Sequence, residues 1–265
     1  MGNKKNALLW SITKNEEDFS YIFGTMHIFD AKQFRWEEQL HQIISECDTF
    51  YTEVDFNDSQ ISDIQDNMEL KSGVTLKNLF KPKLYNYLKK VFYRSTGLNL
   101  ENMIDIQPIV ITNLIQSSFV TKEMPLSIDQ SLWNFAKYSG KKVDGLEMYE
   151  DQLSIMQSFD LNYQVKQLKS LLKNFKRSRM QMKKMVELYL NQDIRGLYLK
   201  SLKGLKQYKK ILVQYRNKKM LTSILMQSEQ ECSFYAIGAA HLYGKSGLIA
   251  GLKRAGWKVK PVKLV

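Results

Sequence analysis

Proline, cysteine and histidine are scarce in this chain: four Pro, two Cys and three His among 265 residues. With so few prolines and no Ser/Gly-rich tract, a string of modules on flexible linkers is excluded. A single domain spanning 1–265, or one domain with a sizeable insertion, is expected. Cys47 and Cys232 are too few for a disulfide framework; both lie in apolar settings and read as buried free thiols. No apolar run approaches the roughly 20 residues that span a bilayer. The opening Met1-Gly2-Asn3-Lys4-Lys5-Asn6 is basic but lacks a signal peptide's apolar core, and Asn6 breaks the myristoylation pattern that Met1-Gly2 begins. A cytoplasmic location is the expectation, with a trimmed exported protein as the alternative. Also missing are the Gly-x-Ser-x-Gly elbow, the P-loop and the dinucleotide fingerprint, so nothing marks a side-chain nucleophile, a nucleotide phosphate site or a nicotinamide site.

What is present is apolar and basic. Apolar residues make up 44 % of the chain and aromatics 12 %, ample for a packed core. The formal charge of +12 is unevenly placed: from Leu161 to Met220 there are 17 Lys/Arg against the two acids Glu187 and Asp193, a net +15, which leaves −3 for the rest. Such a segment is either a solvated face or a surface for an anionic membrane. Nucleic acid is not expected as a partner, because no nucleic-acid fold motif accompanies the charge.

Leu8–Thr13 and Phe19–Gly24 read as two strands of a hairpin around the polar turn Asn15–Asp18. A helix follows, with Phe34, Leu40, Ile43, Ile44 and Cys47 on one face and His41 on the polar side as a surface residue. Thr49–Phe56 is a β-branched and aromatic strand pattern. Helical patterns fill about 59–140, with Pro82 and Pro108 at helix starts and Ser127 as N-cap of Ile128–Tyr138. Lys142–Glu147 reads as a strand. Basic helices then run over about 149–227, interrupted near Asn191 and Gly204, before Phe234–Ile237 (strand), Ser246–Ala255 (helix) and Trp257–Lys260 (strand). The expected fold class is α/β: a central mixed sheet built from both chain ends, with a large helical insertion at roughly 59–140 and 149–227.

Two of the three histidines occupy the same frame, Gly24-Thr25-Met26-His27 and Gly238-Ala239-Ala240-His241, each closing an apolar strand. Glu53, in Glu53-Val54-Asp55, sits near the end of a third strand, with Asp55 on the same face by alternation. Ligands of α/β sheets bind beyond the carboxyl ends of strands, so if the three strands are parallel neighbours these side chains converge. Two His and one carboxylate with an open position is a catalytic metal arrangement, and the donor set suits Zn²⁺, Mn²⁺ or Fe²⁺ alike. The expected nucleophile is a water activated by the metal. Glu53, or less well Asp55, is the candidate general base.

These residues resemble the TraB/GumN family, which includes the TIKI proteases. The likeness rests on Tyr21-Ile22-Phe23-Gly24-Thr25-Met26-His27, Glu53-Val54-Asp55, Gly145-Leu146-Glu147 with Asp151-Gln152-Leu153, Tyr215-Arg216-Asn217-Lys218-Lys219-Met220, and Ile237-Gly238-Ala239-Ala240-His241-Leu242-Tyr243-Gly244-Lys245-Ser246-Gly247-Leu248. The resemblance implies a fold like that of erythromycin esterase and the haem-binding protein ChaN. It implies a divalent metal, Mn²⁺ or Co²⁺ favoured, held by His27, Glu53 and His241, and metal-dependent cleavage of peptide or peptide-like substrates. Arg216 and Asn217 match the family's Arg-Asn pair, suited to orienting a substrate carbonyl or a carboxylate of the site; Glu147 matches as well. The rival readings are a metal-free esterase-like hydrolase with a histidine base, a haem- or ligand-binding protein, and an interaction protein acting through the basic helices.

Overall fold

A computed structural model describes residues 6–14, 19–27, 31–56, 68–120, 126–203, 205 and 208–265, without the side chains of Ala31, Gln33 and Phe34. The strands are β1 Leu9–Thr13, β2 Ser20–Thr25, β3 Thr49–Val54, β4 Lys142–Glu147, β5 Ser233–Gly238 and β6 Lys258–Val262. The helices are α1 Glu37–Glu46, α2 Leu76–Leu79, α3 Pro82–Thr96, α4 Pro108–Ser117, α5 Ile128–Tyr138, α6 Tyr149–Gln157, α7 Leu161–Lys173, α8 Phe175–Leu190, α9 Ile194–Ser201, α10 Arg216–Gln227 and α11 Leu248–Arg254. The chain divides into two compact units, one of Met1–Asp58, Glu123–Asp151 and Met185–Val265, the other of Ser59–Lys122 and Gln152–Lys184.

All six strands belong to the first unit and form one mixed sheet in the order β4-β3-β5-β2-β1-β6. β4, β3, β5 and β2 run parallel; β1 is antiparallel to both β2 and β6. The expected hairpin of β1 and β2 is therefore present, while its turn, Asn15–Asp18, lies outside the described residues. β5 is the central strand, and its run Phe234-Tyr235-Ala236-Ile237 is buried throughout, as a parallel strand covered on both faces requires. Its register with β3 sets Phe50 opposite Phe234 and Tyr51 opposite Tyr235, and both ring pairs stack, at 5.5 and 5.3 Å between centroids. Each face of the sheet thus gains one aromatic cross-strand pair. The edge β6 carries exposed Lys258 and Lys260 and the donor-less Pro261, which blunt pairing with another chain.

The second unit is helical. α2, α3, α4 and α7 close on Leu76, Leu88, Phe92, Ile111, Ile115 and Leu168, all fully buried. Gln164 is the polar pin of that core. Its Nε2 donates to Gln107 Oε1 at 2.8 Å and to the Phe159 carbonyl at 3.0 Å, while its Oε1 accepts the Ile109 N–H at 3.1 Å. No helix among the described residues is long and apolar enough to cross a membrane.

Several expected boundaries move. The strand after α1 ends at Val54 rather than Phe56, and the helix expected to include Phe34 opens with a 3-10 stretch, Ala31–Trp36. The basic helical stretch breaks at 158–160, where Asp160 caps α7 through the Tyr163 N–H, at Asn174, and near Asn191, after which Asp193 caps α9 through the Gly196 N–H. Gly204 lies outside the described residues. His41 is not a plain surface residue: its ring stacks at 3.7 Å on Phe135, and burial pulls its pKa below the usual histidine value.

Candidate functional site

The parallel run β4-β3-β5-β2 brings four strand ends to one edge of the sheet. Glu147 closes β4, Glu53 lies one residue before the end of β3, and Gly238 closes β5. Val54 pairs with Glu147, and Thr25 pairs with Gly238. His241 follows on a single 3-10 turn, Ala239–His241, and His27 stands two residues past the end of β2. The convergence expected of three parallel neighbours is met by the strands. The two Gly-x-x-His frames are not copies in register, however: Gly24 pairs with Ile237, one residue short of Gly238.

Each frame's glycine has its own steric reason. A Cβ on Gly238 would stand 2.9 Å from Glu53 Oε1. A Cβ on Gly24 would stand 2.9 Å from Leu242 Cδ1 and 3.1 Å from the Ala239 Cα, so the chain after β5 could not pack there.

Arg216 is the hub. It opens α10 directly after a π-helical turn, Lys210–Tyr215, a geometry common at functional sites because it re-aims the residues that follow. Its Nε donates to Glu147 at 2.9 and 3.1 Å, and its NH2 donates to Glu147 Oε2 and to Glu53 Oε2, each at 2.5 Å. Its NH1 lies 3.4 Å from His241 Nε2. The other Glu53 oxygen, Oε1, accepts the Gly238 N–H at 2.7 Å and stands 3.9 Å from His241 Nε2. Burial alone would raise the Glu53 pKa. The Arg216 charge, joined by His241 and the Gly238 N–H, outweighs it and holds the carboxyl at about 2. Burial alone would lower Arg216; Glu53 and Glu147 more than offset this, so it stays charged.

Asn217, the next residue, is buried and serves His241 rather than facing outward. Its Nδ2 donates to the carbonyls of His241 (3.1 Å) and Ser246 (2.6 Å), and its Oδ1 lies 2.5 Å from His241 Nδ1. That contact puts the proton on Nδ1 and leaves Nε2 with its lone pair. Desolvation, with help from Arg216, drops the His241 pKa to about 4, so the ring is neutral near pH 7.

His27 is held separately. Its Nδ1 donates to Asp129 Oδ2 at 3.3 Å, and its side chain is 63 % exposed, where that of His241 is 9 %. The Asp129 hydrogen bond raises its pKa, against a smaller lowering by burial. Asp129 sits in the first turn of α5, whose N-cap is Ser127 as expected. Among the described residues, no group of three or more His, Cys, Asp and Glu stands close enough together to hold a metal ion. Glu53 and His241 are brought together, and His27 is turned to Asp129. Asp55 lies just beyond β3.

Asp129 was not legible in the sequence. An acid in the first turn of a helix is usual for the helix dipole alone and gives no signal of a histidine partner from β2. The orienting role of Asn217 was equally silent, since it depends on a turn 24 residues away in the chain.

A model of the TraB/PrgY/gumN family matches residues 8–261 of this chain. Among characterised proteins, the metalloprotease TIKI1 of Danio rerio is 21 % identical over 313 aligned residues, covering 96 % of this chain and 63 % of that protein. The chain thus spans somewhat under two thirds of the length of that relative. No solved structure matches it.

Proposed function

Because the chain belongs to the TraB/PrgY/gumN family, we propose that it is a metal-dependent hydrolase and, more narrowly, a peptidase of peptide or peptide-like substrates. The observation that carries this reading is shared by the two histidines: in each, Nδ1 is engaged by a side-chain oxygen, Asn217 Oδ1 for His241 and Asp129 Oδ2 for His27. Metal-binding imidazoles commonly have one nitrogen fixed by an outer partner of this kind. We extend the proposal to the fold: a sheet of the erythromycin esterase and ChaN type with helical segments inserted.

Two of the three expected ligands, Glu53 and His241, are already side by side, and their donor types suit a divalent cation. Glu53 is anionic, His241 is neutral with its Nε2 lone pair facing Arg216 NH1, and the sum of Glu53, Glu147 and Arg216 is one negative charge. His27, Glu53 and His241 would hold the ion, with nitrogen and oxygen donors that suit Mn²⁺, Co²⁺ or Zn²⁺. When bound, such an ion polarises a scissile carbonyl and makes water more acidic. The protein's own residues do the rest. Arg216 fixes Glu53 and keeps a guanidinium edge, NH1, on the His241 side of the site, where it would stabilise negative charge developing on a substrate oxygen. Asn217 holds His241 in one tautomer and one orientation. Its low pKa makes Glu53 a poor general base, so its role here would be that of a ligand.

One observation favours a second reading, a metal-free esterase-like hydrolase. His27, exposed and held by the largely buried Asp129, has the form of an oriented base, with a pKa raised by that hydrogen bond. Cleavage of a peptide library with Mn²⁺, Co²⁺, Zn²⁺ or EDTA separates the two. The metal reading expects turnover that EDTA abolishes, that one of the ions restores, and that Glu53→Gln lacks. Turnover indifferent to EDTA would replace it with the second reading.

A further inference from the structure

At the opposite end of the same strands, Cys47 and Cys232 meet. Cys47 caps α1 and is buried; Cys232 precedes β5 and is partly exposed. Their sulfurs are 3.0 Å apart, although 185 residues separate them in the chain. Backbone bonds hold the two segments together around them. The N–H groups of Asp48 and Thr49 donate to the Cys232 carbonyl at 2.9 and 3.3 Å, and the Cys232 N–H donates to Asp48 Oδ2 at 3.1 Å. The β3–β5 ladder begins with the next pair, Thr49 and Ser233, whose hydroxyls are themselves 2.8 Å apart. Neither backbone has to move far for the sulfurs to bond.

We propose that Cys47 and Cys232 form a dithiol–disulfide centre, a covalent modification site that takes small, uncharged organic disulfides as its oxidant. The exposed Cys232 thiolate attacks one sulfur of the reagent, forming a mixed disulfide and expelling one thiolate. The Cys47 thiolate then attacks Cys232 Sγ and expels the second. The two protein thiols lose two electrons and two protons, and the reagent leaves as two thiols. The order follows from access and from the shared hydrogen bond, which raises the Cys47 pKa and lowers that of Cys232. Asp48 and Glu46 act on Cys232, the sulfur that meets the reagent, and Lys141 acts on the buried Cys47, so an anionic disulfide is disfavoured at Cys232 relative to a neutral one. The cross-link would lie at the start of the two strands whose far ends carry Glu53 and Gly238, and it would fix their register without touching that end.

The test uses the full-length protein, reduced and freed of reductant, then treated with hydroxyethyl disulfide. Free thiols are titrated in denaturant and peptides are mapped without reduction. The expected result is loss of both thiols, a Cys47–Cys232 linked peptide, a monomeric product and a melting temperature several degrees above that of the reduced protein, as closure of so long a loop requires. Glutathione disulfide, which is anionic, should react more slowly. Cys47→Ala should stop at a stable mixed disulfide on Cys232, and Cys232→Ala should leave Cys47 unreacted. Two free thiols persisting in the wild type, a mixed disulfide that persists there, or cross-linking only between chains would each overturn the proposal. The wild-type titration decides the matter even if a variant fails to fold.

Discussion

Replacing Arg216 with Met keeps most of the aliphatic stem and removes the cation on which Glu53 and Glu147 converge. The Glu147 side chain is 1 % exposed and that of Glu53 25 %. Breaking one partner out of a buried ion network costs about 3–5 kcal/mol, because the remaining carboxylates stay buried without their cation. The pH dependence gives the sharper test. In the wild type the Glu53 pKa lies at about 2 against 4.5 unperturbed. A depressed carboxylate adds stability that is fully present above its unfolded value and is lost as pH falls through its folded value; here that is about 3 kcal/mol. Without the guanidinium, burial dominates and the Glu53 pKa rises above 4.5, so the folded variant takes up a proton that its unfolded state does not yet bind. The variant should therefore recover relative to wild type on acidification, the gap narrowing by at least about 1 kcal/mol between pH 7 and pH 4, with the remainder of the Glu53 contribution lost below pH 4. Urea unfolding of both proteins at the two pH values measures this. A gap below about 1 kcal/mol at pH 7, or one unchanged at pH 4, would refute the placement of Arg216 as the charge that holds the site together.

Other outcomes follow from the same geometry. His241, with its folded pKa at about 4, contributes stability that is present above its unfolded pKa and lost as pH falls toward 4. His241→Gln should flatten the stability curve between about pH 6.5 and pH 4, and an unchanged slope would contradict the buried neutral ring. Gly238→Ala should cost about 1–2 kcal/mol by pushing Glu53 off its N–H bond and should weaken divalent-ion binding about 10–100-fold, read by thermal melts and by titration of Mn²⁺. Asp129→Asn should lower the His27 pKa, read from its ring protons by NMR; no change would separate Asp129 from His27.

Much of the sheet was legible because its strands carry strong local signals. The buried aromatic run 234–237, the β-branched run from Thr49 and the short Lys142–Glu147 segment each fall in a strand. Pro82 and Pro108 stand at the first positions of α3 and α4. What resisted was set by long-range packing. The breaks at 158–160 and Asn174 interrupt a pattern that stays helical in composition, and the π-helical turn before Arg216 leaves no local mark. At the site, Glu53, His241, Arg216 and Asn217 meet as neighbours, whereas His27 turns to Asp129. The Gly-x-x-His spacing specifies that a histidine follows a strand end. It does not specify which carboxylate receives the ring, and that depends on where the first turn of α5 lies.

We propose that the edge where β3 and β5 end binds a divalent ion, through His241 and Glu53 with His27. The most direct measurement is calorimetric titration of Mn²⁺ into chelator-treated protein, in the wild type and in His241→Ala, Glu53→Gln and His27→Ala. The expected result is a single saturable site in the wild type, absent from the first two variants and weakened in the third. No saturable binding by Mn²⁺, Co²⁺ or Zn²⁺, or binding equal in all four proteins, would contradict it.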